Sequence, residues 1–120
     1  LVTYGLGVTW MNNYLSENPD QKSKIEVVDL RTLLPWDRDI VVNSLSKTNK
    51  LMLLSEDNLT GSITGDISSY VSQYHFDLLD APIIRLGSLD MPIPFSSDIE
   101  KNIYFPIKKI HENIQKLLMY

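Results

Sequence analysis

The sequence predicts an α/β fold of three layers, α/β/α, around a mainly parallel sheet. Four short apolar runs are continuous rather than alternating, which is typical of strands that are buried on both faces. Stretches with helical period separate these runs, so each strand is followed by a helix that brings the next strand back in parallel. The 120 residues suit one domain spanning 1–120.

The predicted strands cover residues 1–4, 25–30, 51–54 and 83–86. The first residue already lies inside a strand, and the chain has no initiator methionine. We therefore expect the chain to be a fragment of a longer polypeptide.

Four helices follow from apolar spacing and from helix-end signals. The first ends at Asn18-Pro19-Asp20, the second begins at the N-cap residue Asp37, and the third follows Thr60-Gly61. The last helix has Pro106 in its first turn, and its apolar stripe is Ile107, Ile110, Ile114, Leu117 and Leu118. Residues 87–103 show no clear period.

Composition excludes several classes of function. A net charge of −4 is the wrong sign for binding a phosphate backbone, so we expect no nucleic-acid partner. The chain has no cysteine, which excludes thiolate chemistry. No apolar run approaches the roughly 18 residues of a membrane span, so we expect no membrane partner and a cytoplasmic location.

The residues alone indicate no complete active site. In a parallel sheet, ligands bind beyond the carboxyl ends of the strands, where Glu56 and Asp57 stand. Adjacent carboxylates on a strand diverge, whereas an acid/base pair must converge. A dinucleotide-binding loop would need glycine at Trp10, and His75 and His111 have no ligand partner at helical spacing. These residues predict no catalytic, cofactor-binding or metal-binding residue and leave open a free-standing module that binds a small anion.

Residues 25–37, IEVVDLRTLLPWD, suggest a family. They resemble the C-terminal, transketolase-type domain of beta subunits of thiamine-diphosphate-dependent 2-oxoacid dehydrogenases. Further matches occur in the family's order: Val2-Thr3-Tyr4-Gly5, Ser55-Glu56-Asp57, Leu59-Thr60-Gly61, Leu79-Asp80-Ala81-Pro82 and Asp90-x-Pro92-x-Pro94-Phe95.

Two features qualify the resemblance. The family usually has a double glycine, a small residue and Glu where this chain has Gly61-Ser62 and Gly65-Asp66. It also usually has an antiparallel strand before residues 1–4, whose loss would leave residues 25–30 at a sheet edge. Transketolase proper and deoxyxylulose-phosphate synthases share the fold and remain alternatives, although Asp29-Leu30-Arg31-Thr32 favours the dehydrogenases.

The resemblance implies that catalysis and assembly belong to different domains of the parent enzyme. The parent enzyme would bind thiamine diphosphate and magnesium in other domains, decarboxylate a 2-oxoacid and pass the acyl group to the lipoyl group of an acyltransferase. This domain would be non-catalytic, would bind no cofactor and would be inactive when isolated. Its partners would be the alpha subunit or other domains, a second beta portion, and the acyltransferase's subunit-binding domain. A eukaryotic parent would lie in the mitochondrial matrix. Trp36 after Pro35 favours a branched-chain substrate such as 2-oxoisovalerate over pyruvate.

The resemblance also assigns roles to residues. Asp80 and the terminal carboxylate of Tyr120 would form an acidic patch for the basic subunit-binding domain, although Asp80 could equally be an ordinary turn residue. Arg31 could pair with a carboxylate across an interface, but we favour a structural pair with Asp29 or Asp37.

The apolar residues before the last helix are candidates for a subunit interface. Phe95 belongs to this set with Ile93, Ile103, Tyr104 and Phe105. Apolar side chains in long loops are often buried in the domain's own core, so we expect about half of the set to be buried there.

Overall fold

The computed structural model describes residues 1–120 and contains four strands and five α-helices. The strands are β1 (Val2–Thr3), β2 (Val28–Asp29), β3 (Met52–Asn58) and β4 (Ile84–Ser88). The helices are α1 (Leu6–Glu17), α2 (Arg38–Thr48), α3 (Ile63–Tyr74), α4 (Ser97–Ile99) and α5 (Ile110–Leu118). Further single turns of helix occupy Pro19–Gln21, Phe76–Leu78, Glu100–Tyr104 and Ile107–Lys109. None of the helices has both the length and the apolar character needed to span a bilayer.

The four strands form one parallel sheet in the order β2-β1-β3-β4. Val2 of β1 is in register with Val28 on one side and with Leu53 on the other, and Leu54 is in register with Leu86. The α/β prediction is confirmed. β2 lies at one edge, as expected, and β4 lies at the other.

Helices cover both faces of the sheet, and the alternation of side chains along β3 divides the core in two. Leu51 and Leu53 point to one face and pack with Val41 and Leu45 of α2 and with Ile67 and Val71 of α3. Met52 and Leu54 point to the other face and pack with Trp10, Met11 and Tyr14 of α1 and with Ile110, Ile114 and Leu117 of α5. β3 is therefore buried on both faces, which explains its continuous apolar run.

Residues 87–103 lack a period because they contain only short pieces of helix after β4. The five apolar residues that we expected to divide between core and surface do so. Tyr104 is buried, and the ring of Phe105 lies 5.0 Å from that of Trp10. Ile93, Phe95 and Ile103 are 69%, 109% and 60% exposed.

The turn between β1 and α1 needs glycine for two reasons. Gly5 has φ +53°, a left-handed conformation that favours glycine. Gly7 lies against β1, and a Cβ at this position would be 2.1 Å from Oγ1 of Thr3. That hydroxyl is fixed because it donates a 2.8 Å hydrogen bond to the Leu54 carbonyl of β3.

We predict that Gly7→Ala lowers the free energy of unfolding by about 1–3 kcal/mol, because the new methyl group clashes with Thr3. In a Thr3→Ala background the same substitution should cost at least about 1 kcal/mol less. Gly65→Ala in α3 is the control, since its Cβ would meet only the end of the Arg85 side chain at 3.4 Å. It should stabilise the domain by about 0.5–1 kcal/mol. Denaturant unfolding measures the free energies of Gly7→Ala, Thr3→Ala, their double variant and Gly65→Ala. Equal effects of the substitutions at positions 7 and 65 would contradict the packing argument.

Candidate functional site

Asp80 and Tyr120 lie on the lining of one shallow groove, although 39 residues separate them in the sequence. The other lining residues are Ser68, Ser72, Phe76, Leu79, Ala81, Pro82 and Ile83. The groove is at the amino end of the sheet, because residues 80–83 lead into β4 and α5 returns to this end. An apolar floor with the Asp80 carboxylate at its border suits a partner that presents both apolar and basic side chains.

The backbone beside Asp80 is held by the C-cap of α2. Asn49 adopts a left-handed conformation with φ 54° and ends the helix. Its carbonyl accepts a 2.8 Å hydrogen bond from the Asp80 backbone N–H, and its side-chain amide donates to the Leu78 carbonyl at 3.1 Å. Asp80 itself is exposed. The carboxylate is therefore presented to solvent on a fixed backbone.

The structure places Arg31 and Phe95 away from this groove. Arg31 follows β2, and its Nε lies 3.4 Å from Asp29 Oδ2. The Arg31 side chain is 87% exposed, so this ion pair adds little to stability. Phe95 follows β4 at the opposite end of the sheet and contributes its whole surface to solvent.

The carboxyl end of the sheet is filled by the domain's own polar groups. Glu56 Oε1 accepts a 3.2 Å hydrogen bond from the backbone N–H of Leu6, at the start of α1. Asp57 accepts a hydrogen bond from the Tyr4 hydroxyl. The two carboxylates therefore meet different partners, the start of α1 for Glu56 and the Tyr4 hydroxyl for Asp57, and do not converge. Their charge would repel an anion at this edge.

Burial is the main reason why the pKa of the Tyr4 hydroxyl is raised well above its ordinary range, and the hydrogen bond to Asp57 adds to the shift. Tyr104 behaves similarly, because burial raises its pKa. Its hydroxyl donates a 2.9 Å hydrogen bond to Asn58 Oδ1. Neither phenol is disposed to act as a base near neutral pH, since both are held protonated.

The start of α3, where the sequence departs from the family pattern, borders a small polar pocket whose lining includes Arg85 of β4. The guanidinium donates to the Leu59 carbonyl at 2.6 Å and to Thr64 Oγ1 at 3.3 Å. The hydroxyls of Ser62 and Thr64 hydrogen-bond to each other at 2.5 Å. These donors are therefore used within the domain.

The two histidines serve as packing residues. His75 ends α3, and its ring lies 5.5 Å from that of Tyr70. His111 lies on α5 with Nδ1 3.3 Å from the Tyr14 hydroxyl. No group of three or more His, Asp or Glu side chains is placed to hold a metal ion.

Sequence reasoning missed two surface features. Phe76 is 72% exposed and lines the groove beside Asp80, but in the sequence it looks like the fading end of a helix. Arg38 lies over the ring of Tyr70 at 4.6 Å, and Trp36 meets the same ring edge-on at 5.3 Å. The separation of 32 residues between Arg38 and Tyr70 gives no local signal of this contact.

Comparisons with known proteins agree with this fold. Residues 1–110 match the family model for the transketolase C-terminal domain. The beta subunit of the pyruvate dehydrogenase E1 component of Rhizobium meliloti is 36% identical over 101 residues, 84% of this chain and 22% of that protein. The 2-oxoisovalerate dehydrogenase beta subunit of Bacillus subtilis is 32% identical over 118 residues, 98% of this chain and 36% of that protein. The beta subunit of acetoin:2,6-dichlorophenolindophenol oxidoreductase, also from Bacillus subtilis, is 46% identical over 81 residues, 68% of this chain and 23% of that protein.

A solved structure shares the fold at low identity. It is described as a split-gene transketolase, an inactive beta4 tetramer, and it is 20% identical with a TM-score of 0.73. The match covers 98% of this chain and 37% of that chain.

Fold and matches together define a C-terminal domain of the transketolase type. The chain belongs to the transketolase C-terminal domain family, as the resemblance predicted, and its relatives include beta subunits of pyruvate and 2-oxoisovalerate dehydrogenases. It spans between 22% and 36% of the length of those two relatives.

We predict that the free energy of unfolding falls as the pH rises above about 10, the ordinary pKa of tyrosine. Folded Tyr4 keeps its proton there while the unfolded chain loses it, so the unfolded state gains stability. Tyr4→Phe should make the decline shallower by up to about 1.4 kcal/mol per pH unit. Tyr74→Phe removes an exposed phenol and should leave the slope of the free energy of unfolding against pH the same as in the parent chain. Denaturant titrations from pH 8 to 11 measure these slopes, and identical slopes for both variants would contradict the role of Tyr4.

Proposed function

We propose that this chain is the C-terminal assembly and docking domain of the beta subunit of a thiamine-diphosphate-dependent 2-oxoacid dehydrogenase, and that it belongs to a longer polypeptide. The observation that carries the docking role is the groove that brings the Asp80 carboxylate and Tyr120 together. Family membership supports the parent enzyme. Association with an alpha subunit and with a second beta portion belongs to the same proposal, as does a location in the cytoplasm or, in a eukaryote, in the mitochondrial matrix.

The domain's residues do not fit thiamine diphosphate. Glu56 and Asp57 place negative charge at the carboxyl end of the sheet, where a diphosphate would have to bind. No side chains converge as ligands for the magnesium ion that accompanies a diphosphate. In this proposal the cofactor and the decarboxylation belong to other domains, and this domain supplies the surface on which the acyl acceptor is delivered.

The proposed partner is the basic subunit-binding domain of a lipoyl acyltransferase. The Asp80 carboxylate beside Tyr120 attracts a basic module over a distance, which raises its association rate and fixes its orientation. The exposed ring of Phe76 adds an apolar contact within the groove. Docking at this position would hold the lipoyl acceptor close to the catalytic domains without a residue of this domain touching the substrate.

A second candidate for the parent reaction is the oxidation of acetoin. The 46% identity over 81 residues to the beta subunit of an acetoin oxidoreductase supports it. The proposed docking role is the same for either reaction. Turnover of pyruvate, 2-oxoisovalerate and acetoin by the assembled parent enzyme, followed with an artificial electron acceptor, distinguishes the reactions. The highest kcat/KM identifies the substrate.

We predict that the isolated 120-residue chain binds neither thiamine diphosphate nor magnesium in a saturable way and does not oxidise these substrates. The reason is that its carboxylates face the strand ends and its remaining donors are used internally. Isothermal titration calorimetry with the cofactor and magnesium together measures binding, and the assembled parent enzyme is the positive control. Saturable micromolar binding to the isolated chain would place part of the cofactor site in this domain and contradict the proposal.

We predict that Asp80→Asn in the assembled parent enzyme raises the Kd for the acyltransferase's subunit-binding domain at least fivefold at low salt, or about 1 kcal/mol. The substitution keeps the shape of the side chain and removes its charge. The effect should shrink at high salt, where the attraction is screened. Asp77→Asn is the control, because Asp77 is exposed three residues earlier but does not line the groove.

Surface plasmon resonance at two salt concentrations measures both variants. Asp77→Asn should change Kd less than twofold. If Asp80→Asn binds as tightly as the parent at both concentrations, Asp80 is an ordinary turn residue and the docking site lies elsewhere.

A further inference from the structure

The connection between β4 and α5 leaves several of its large apolar side chains exposed. Residues 89–104 of this connection are called the platform segment here. Five of its large side chains, Met91, Ile93, Phe95, Ile99 and Ile103, are 40% to 109% exposed. Isolated exposed apolar residues are common, but five within 13 residues form an unusual concentration.

Polar contacts fix both ends of the platform segment to β3 and to the loop after it. The Asn58 side chain donates to the Met91 carbonyl at 3.1 Å and accepts from the Tyr104 hydroxyl at 2.9 Å. Asp90 accepts from the backbone N–H and the hydroxyl of Thr60 at 2.9 and 2.6 Å. The backbone N–H of Leu89 donates to the Tyr104 carbonyl at 3.2 Å, which closes the loop.

This anchoring means that the apolar side chains are presented on a prepared backbone. Pro92 and Pro94 stiffen the segment between the anchors, since each fixes one backbone torsion angle. The domain's own core is completed by Tyr104, which is buried, and by Phe105, which packs on Trp10. The remaining exposed side chains therefore add nothing to this domain's core, whereas a surface fixed in advance lowers the entropy cost of binding.

From this arrangement we propose that the platform segment is the surface on which the preceding part of the same polypeptide packs. The inference relies on the proposed function, in which this chain is the C-terminal domain of a longer beta subunit. The 2-oxoisovalerate dehydrogenase beta subunit aligns with nearly the whole of this chain, and the chain covers 36% of it. That relative is therefore almost three times as long as this chain.

Charge argues against a second copy of this chain as the occupant. The five side chains expose about 600 Å², counting about 200 Å² for each fully exposed residue of this size. That area suits packing between domains of one chain, where the tether keeps their effective concentration near millimolar. The acids Asp90, Asp98 and Glu100 outnumber Lys101 in the segment, so two copies facing each other would bring like charges together.

Labelling of single introduced cysteines tests the proposal, because the 120 residues contain no cysteine. Ser96→Cys places a thiol beside Phe95 and leaves all five apolar side chains in place. Ser69→Cys on the exposed face of α3 is the matched control. Both variants are made in the natural longer polypeptide. Peptide mass spectrometry measures the labelling rate of each introduced thiol, and this rate is divided by the labelling rate of the same site in denaturant.

We expect the thiol of the Ser96→Cys variant to react at least tenfold more slowly than the thiol of the Ser69→Cys variant in the native longer polypeptide. Adding Phe95→Ser to the Ser96→Cys variant should restore most of the rate. Equal rates for the two single variants would overturn the proposal. Protection of the thiol at position 96 that disappears on dilution would also overturn it, because the occupant would then be a second copy.

The dehydrogenase assay is scored separately from labelling. If the Ser96→Cys variant is active but its introduced thiol is not protected, the platform inference is rejected and the proposed reaction stands. Protection of that thiol in a polypeptide that oxidises neither a 2-oxoacid nor acetoin rejects the proposed reaction and leaves the packing surface in place.

Discussion

The burial of β3 on both faces is the constraint on which the rest of the domain depends. Its side chains alternate between two cores, one shared with α2 and α3 and the other with α1 and α5. After Leu54 the strand changes from apolar to polar residues, and these bind the turns at the carboxyl end. Glu56 meets the start of α1, Asp57 meets Tyr4, and Asn58 holds the platform segment. One strand therefore builds the core and then fixes the loops around it.

This use of polar groups concerns the edge of the sheet at which α/β domains usually bind ligands. Parallel sheets usually bind ligands beyond the carboxyl ends of their strands, where loops leave donors unpaired. Here Asp57 accepts from the Tyr4 hydroxyl, Glu56 accepts from the Leu6 backbone N–H, and the Ser88 hydroxyl donates to the Glu56 carbonyl. The surface that this pairing stabilises, residues 89–104, exposes several apolar side chains.

The sequence was sufficient for features that arise from local physics. Apolar period located the strands and the long helices, and Asp37 caps α2 as its side chain predicted, accepting a 3.0 Å hydrogen bond from the Ile40 N–H. Strand order was not accessible, because nothing local places β1 between β2 and β3. The groove was only partly accessible, since Asp80 and Tyr120 were paired by resemblance while Phe76 carries no signal. The hydrogen bonds that hold residues 89–104 come from β3 and the loop after it, about 30 residues or more away in the chain. The sequence of the segment itself therefore looks aperiodic.

Two candidate contact surfaces lie at opposite ends of the sheet, and the direction of β4 separates them. Residues 80–83 enter β4 at the amino end, where the groove lies, and the platform segment leaves β4 at the carboxyl end. α5 then returns the chain to the amino end of the sheet, where Lys50, just before β3, donates to the Leu118 carbonyl at 3.5 Å. Because the two surfaces share no residue, a docked partner and the packed body of the parent enzyme would not compete. The parallel sheet thus sets the spacing between them, and a rigid spacer is what a domain needs if it is to hold a delivered acyl acceptor at a fixed distance from catalytic domains.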